Sequence, residues 1–367
     1  MTTETTTPPG STTGPGPVPV RTVTGTVPSD ALGFTLPHEH LLNSIELGGI
    51  EPDPRHPELF DLPVTPDIAW LLRDHPYASR DNCQLDDPED ARVELEAYAH
   101  LGGKTVIEVT SEGQGRDRAG LAALSRATGV QIVAGGGWYL ERFHPPMTAD
   151  DPVDALAEHL LADHVDGPDR EEPMSGVIGE IGVSPAFTER EERSLRAACR
   201  VQREVGLPMY VHLPGFVRHG PRVLDVVLDE EGVDPGAVVL CHMDPSGDDP
   251  DHQRALADRG IVAEFDMVGM PYRFTLPGEG DSPSVAQTAG AIRALVGAGH
   301  GDRVLVSHDL FLKGMLRRNG GNGLSYIPGA FLDRLRDEGI DDGAVRALNT
   351  TNVRALFERA AHRGTTR

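Results

Sequence analysis

Short apolar runs rich in Val and Ile recur along the chain, at Phe34–Leu41, Thr105–Thr110, Gln131–Tyr139, Gly176–Val183, Pro208–Leu213, Ala237–Asp244, Ile261–Met267 and Arg303–Asp309. Between them lie longer stretches with apolar residues at helical spacing, such as "DPEDARVELEAYAHLG", "GRDRAGLAALSRATG", "TEREERSLRAACRVQREVG" and "SVAQTAGAIRALVGAG". Each opens near Asp, Ser or Thr and most close on Gly, the start and stop signals of helices. Eight strands alternating with helices predict a parallel sheet, and eight is the number that closes a (β/α)₈ barrel. A doubly wound open sheet is the alternative. It lacks support, because no Gly-x-Gly-x-x-Gly follows a first strand and "GGGWY" is not that fingerprint.

The Thr/Pro/Gly-rich stretch "MTTETTTPPGSTTGPGPVP" interrupts this pattern and predicts a disordered tail over residues 1–20, with one barrel domain over 21–360. The tail has neither the basic nor the apolar segment of a signal peptide, and no apolar run approaches the roughly 18 residues that span a bilayer. Three widely separated cysteines, Cys83, Cys199 and Cys241, form no disulfide framework. A cytoplasmic protein is the expectation. The formal charge of 33 − 57 = −24, with no basic stripe, would repel phosphate backbones and argues against nucleic-acid binding.

The first strand carries "TLPHEHLL". Alternation puts His38 and His40 on one face and Glu39 on the other, a geometry that suits two ligands on one ion. Alone it means little. In a barrel, however, the active site lies at the C-terminal strand ends. There Glu180 ends the fourth run, His212 the fifth, His242 the sixth and Asp309 the eighth. Imidazoles and carboxylates are ligands for Zn²⁺ and related divalent ions. Four His and two carboxylates exceed what one tetrahedral ion uses, which suggests two ions sharing a carboxylate. Metals about 3.5–4 Å apart can hold a hydroxide and polarise a carbonyl or phosphoryl oxygen.

Other polar residues take structural readings. Glu39 should face outward and pair or cap. Cys241 should face the helical layer, and His308 should point away from Asp309. Asp244, Arg116 and Asp117 read as loop or cap residues, and Ile178 as sharing the inward face of Glu180. His75, His144, His159, His164, His219, His252, His300 and His362 read as surface.

The motifs "GFTLPHEHLL", "VIEVTSEGQGRD", "GVIGEIGVS", "YVHLPG", "CHMD", "FDMVG", "RVLVSHDLFLKGMLRRNGGNG" and "NTTNVRALF" together resemble the phosphotriesterase family of the amidohydrolase superfamily, closest to its phosphotriesterase-homology branch. The resemblance implies that His38, His40 and Asp309 hold the more buried metal and that His212 and His242 hold the more exposed one. Asp309 would also accept a proton. Glu180 falls where members carry a bridging carboxylated lysine or glutamate. The only lysines, Lys104 and Lys313, cannot end the fourth strand, so Glu180 is the bridging candidate.

The resemblance thus implies a hydrolase with two divalent ions, Zn²⁺ first and Mn²⁺, Co²⁺ or Fe²⁺ as alternatives. Its bridging hydroxide would attack the carbonyl of a small-molecule ester, lactone or amide. A phosphotriester is the alternative substrate, and a non-catalytic binding barrel the alternative of another class. A homodimer is a further implication. Departures from the family pattern fall at "GGGWY", which puts Trp138 and Tyr139 on the substrate wall, and at Val353, which reads as structural. The Gly/Pro-rich loop "VGMPYRFTLPGEGDSPS" is a candidate lid, with Tyr272 and Arg273 as contacts.

Overall fold

The computed structural model describes residues 16–146, 150–165 and 173–361. Most of the expected tail, and His362, lie outside these residues. Each predicted apolar run contains a strand: β1 (Phe34–Glu39), β2 (Gly103–Glu108), β3 (Gln131–Gly136), β4 (Val177–Gly182), β5 (Met209–His212), β6 (Val238–Leu240), β7 (Val262–Phe265) and β8 (Val304–Val306). They pair in parallel and in consecutive order, which fits a (β/α)₈ barrel and excludes the reversed strand order of a doubly wound sheet.

The seam between β8 and β1 is closed by individual bonds. Asp309 N–H donates to the His38 carbonyl at 3.2 Å, and His40 N–H to Leu310 at 3.3 Å. The Asn349 side chain donates to the carbonyls of Thr35 and Val306, both at 2.8 Å, which gives the "NTTN" motif its purpose. Glu39 pairs, as expected, and does more. It is fully buried across the same seam, where it accepts Ser307 Oγ, the backbone N–H groups of His308 and Leu310, and His308 Nδ1 at 2.7 Å. His308 Nε2 in turn accepts from Ile327 N–H, so this ring is held at both nitrogens and has a structural role.

The helices start where capping chemistry says they should. Asp87 and Asp117 accept from the first-turn N–H groups of the helices Pro88–His100 and Arg118–Thr128. Thr188 with Glu191, and Ser284 with Gln287, form capping boxes. Gly129 and Gly206 end two of these helices in the left-handed conformation that suits glycine. Arg116 pairs with Asp163 at 2.9 Å, as a loop ion pair.

Two apolar layers result. Leu36, Ile132, Ile178, Leu240 and Val306 pack outward against the helices. Ile107, Val133, Val177, Tyr210, Val239, Cys241 and Leu305 pack together with Val353, Leu356 and Phe357 of the last helix. The second cluster fills the barrel interior, and Val353 is one of its plugs. Two sequence expectations change here. Ile178 faces outward and Val177 inward, because the register of β4 shifts between Ile178 and Ile181. Cys241 faces inward, because His242 has a left-handed φ of 57° that breaks the alternation. Among the described residues, no helix is long and apolar enough to cross a membrane.

Candidate metal centre

Six side chains from five strand ends meet at the C-terminal mouth. The β1 strand brings His38 and, one residue beyond it, His40. The β4 and β5 strands bring Glu180 and His212. His242 and Asp309 follow β6 and β8 on residues with φ of 57° and 49°. Non-glycine residues rarely adopt that conformation, and it recurs where a side chain must be held at a functional site.

Glu180 lies at the middle. Its Oε1 is 3.0 Å from His212 Nδ1, 2.8 Å from His242 Nε2 and 3.7 Å from His38 Nε2. Asp309 Oδ1 is 3.2 Å from His40 Nε2 and 3.7 Å from His38 Nε2. Two triads share the one carboxylate: His38, His40 and Glu180, and Glu180, His212 and His242, each with its ligand atoms within 4.8 Å of one another. Both lysines stand elsewhere. Lys313 Nζ is bound to Asp81 at 2.6 Å, and Lys104 lies at the start of β2, the opposite end of the barrel.

Three of the four imidazoles are fixed from behind. His38 Nδ1 lies 3.0 Å from Glu264 and 3.3 Å from Asp266. His242 Nδ1 lies 2.8 Å from Asp266, which also accepts the His242 backbone N–H. His40 Nδ1 lies 2.8 Å from Thr110 Oγ1, whose own proton goes to the buried Glu108. Such partners set the tautomer, leaving Nε2 of each ring free to bind a cation. Asp244 accepts from the backbone N–H groups of Asp266 and Met267, which steadies the end of β7.

Glu264 and Asp266 were not among the expected site residues. The signal was there: two carboxylates two apart in the buried strand "VAEF" and its extension.

A metal fits this set on the structure's own terms. Among the described residues, His38 Nε2 is buried without a hydrogen-bond partner, and His242 Nε2 and His212 Nδ1 approach to 2.7 Å, a distance that needs a proton or a cation between them. Burial pulls His38 down, but Glu180, Asp266 and Glu264 overcome it and raise the imidazole to about 10. Burial likewise opposes the charge on Glu180, yet His212 and His38 hold that carboxyl well below its ordinary range. For Asp309 too, burial is outweighed by His40, His38 and His242, and its pKa is lowered. The centre draws positive charge.

Above it opens a cavity of about 400 Å³. Tyr139 lines it, with its ring edge-on to His212 at 4.8 Å. The other expected contacts do not. Trp138 is buried against His144 and His159, because alternation turns it into the helical layer. Tyr272 is buried away from the cavity lining, and Arg273 is exposed beside Asp281; the apolar Phe274 takes the inward position. His144 and His164 are buried and bonded to backbone carbonyls, contrary to a surface reading.

Known proteins share this architecture. The model of the phosphotriesterase family matches residues 18–357. An N-acetyltaurine hydrolase from Salmo salar is 33% identical over 337 residues, covering 91% of this chain and 96% of its own. The crystal structure of a resiniferatoxin-binding protein from Rhodobacter sphaeroides superposes with a TM-score of 0.88 at 43% identity, over 92% of this chain and 94% of that one. A mutant phosphotriesterase-like lactonase from Deinococcus radiodurans does so with a TM-score of 0.72 at 26% identity, over 92% and 99%.

Proposed function

The chain belongs to the phosphotriesterase family and is a hydrolase, and we propose that it cleaves a carboxylic ester, lactone or amide with two divalent cations bound around Glu180. The observation that carries this is the sharing of one buried carboxylate by two imidazole sets. His38, His40 and Asp309 would hold the inner cation, His212 and His242 the outer one, with Glu180 common to both. Imidazole and carboxylate donors suit Zn²⁺, with Mn²⁺, Co²⁺ and Fe²⁺ as alternatives. Bound there, such ions supply Lewis acidity and lower the pKa of water towards about 7. Similarity to N-acetyltaurine hydrolases favours an amide, and similarity to a lactonase favours a cyclic ester.

The protein's own groups do the rest. Apolar walls admit the acyl group and exclude bulk water, which strengthens electrostatics at the cavity floor. Asp309, kept ionised by the imidazoles around it, accepts the proton of the attacking water and carries it to the leaving group. Its side chain is 12% exposed, enough to reach a substrate in the cavity.

The test is a hydrolysis screen of metal-loaded protein against lactones, esters, N-acyl amides and phosphotriesters, with metal analysis alongside. Close to two ions per chain and turnover of a carboxylic substrate support the reading. Absence of metal after supplemented expression, or turnover of phosphotriesters alone, would sink it.

A further inference from the structure

Behind the inner ligands a second set of donors converges in the barrel interior. His38 of β1 turns its Nδ1 there, towards Cys241, the residue after β6, and towards Glu264 and Asp266 at the end of β7. One ligand atom from each of the four lies within 4.8 Å of the others, and all four residues are fully buried. Among the described residues, Cys241 is the only one of the three cysteines that stands in such a group.

Charge is unbalanced at this point. His38 Nδ1 lies 3.0 Å from Glu264 and 3.3 Å from Asp266, so one ring proton faces two carboxylates. Asp266 is also met by the backbone N–H and Nδ1 of His242. Glu264 meets the His38 ring at Oε2, whereas its Oε1 is buried with no partner in hydrogen-bond geometry among the described residues. The Tyr210 hydroxyl, in the same interior cluster, is likewise unpartnered there. The Cys241 thiol faces Glu264, and burial together with that carboxylate pushes the thiol up. Among the described residues, neither Glu264 nor Asp266 pairs with a Lys or Arg. Buried carboxylates are stable when they are paired or when they coordinate a metal.

We propose that a thiophilic metal ion binds here, held by Cys241 Sγ, one oxygen each of Glu264 and Asp266, and His38 Nδ1. One thiolate, one imidazole and two carboxylates suit Zn²⁺ and, through the sulfur, softer ions such as Cd²⁺. A divalent ion takes the place of two protons, one on the thiol and one on Nδ1, so the net charge of the interior is unchanged. His38 then offers Nε2 to the mouth and Nδ1 to the interior. The ion ties β1, β6 and β7 together beneath the reaction centre. It is additional to the two cations at the mouth and does not depend on what the mouth hydrolyses.

The probe is Cd²⁺, titrated into protein already loaded with metal. A cadmium–thiolate bond gives a charge-transfer absorption in the ultraviolet, whereas exchange at the mouth, which has no sulfur ligand, is silent there. The band should saturate with the amplitude of one thiolate. It should vanish in Cys241→Ser, with the other ions retained by metal analysis. Glu264→Gln should keep the band but shift the titration to higher Cd²⁺. Absence of the band in the wild type, as when only a proton fills this point, overturns the proposal, and so does a band that survives Cys241→Ser. Should Cys241→Ser fail to fold, the double variant Cys83→Ser with Cys199→Ser decides. A band retained there upholds the site, and its loss overturns it.

Discussion

The two halves of the centre differ in how their imidazoles are held. In the inner half, His38 is fully buried with two carboxylates behind it, and His40 is backed by Thr110 and Glu108. In the outer half, His242 leans on Asp266, but among the described residues His212 has no partner on its far nitrogen, and its side chain is 14% exposed. The same residue types thus make one rigid half and one adjustable half. Rigidity suits a cation that must stay, and looseness suits one that must meet a substrate. A chelator should strip the outer cation first, in a separate phase from the inner one.

The strongest way to break this division is to remove what both halves share. Glu180→Ala should lose both cations and reduce turnover to background while the fold survives, since one buried ligand is a small part of a barrel core. Metal analysis and thermal melting check this, and two retained ions would refute the shared ligand. Asp266→Asn comes next. It loosens His38 and His242 together and should cost about 10–100-fold in metal affinity or activity. Of the four imidazoles Thr110→Val touches only His40, so its effect should be smaller and confined to the inner phase of chelation.

The inner half should also respond to pH. In metal-free protein, burial lowers His38 but its carboxylate neighbours raise it from 6.5 to about 10. A folded pKa above the unfolded value gives stability that is complete below about pH 6.5 and is lost as pH rises towards 10. Metal-free protein should therefore melt progressively lower across that window. Protons and cations compete for the same nitrogens, so metal affinity should rise over the same window. Melting curves with and without metal, recorded from pH 6 to 10, measure both slopes. A metal-free melting point that does not fall would mean that His38 does not hold this proton.

Much of the centre was legible because β-strand ends are legible. His38, His40, Glu180, His212, His242 and Asp309 each terminate an apolar run, and a closed barrel brings such termini together. Simple alternation failed where the backbone is irregular. The left-handed His242 turned Cys241 inward, and the shifted register of β4 exchanged Val177 and Ile178. Glu264 and Asp266 lie at the end of the seventh run, but they support the imidazoles of other strands from behind, a role that strand-end position does not announce. Glu39 was expected to face outward and pair or cap; it does pair, and in doing so it bolts the barrel seam.

The smallest expected effects lie in the loop after β7, where sequence and structure choose different residues. Arg273 was the chemically attractive contact, yet its side chain is 63% exposed and 3.7 Å from Asp281. Phe274, one residue on, is nearly buried against Phe311 and Tyr77 and lines the cavity. Phe274→Ala should destabilise the protein by about 3–5 kcal/mol, as for a buried aromatic, and raise KM by opening the apolar wall. Arg273→Ala should change stability by no more than about 0.5 kcal/mol and leave KM where it was, since an exposed ion pair contributes little. Steady-state kinetics on the two variants decide between the assignments. A raised KM in Arg273→Ala with a normal one in Phe274→Ala would mean that the loop closes over substrate in another arrangement, with the charged face turned in.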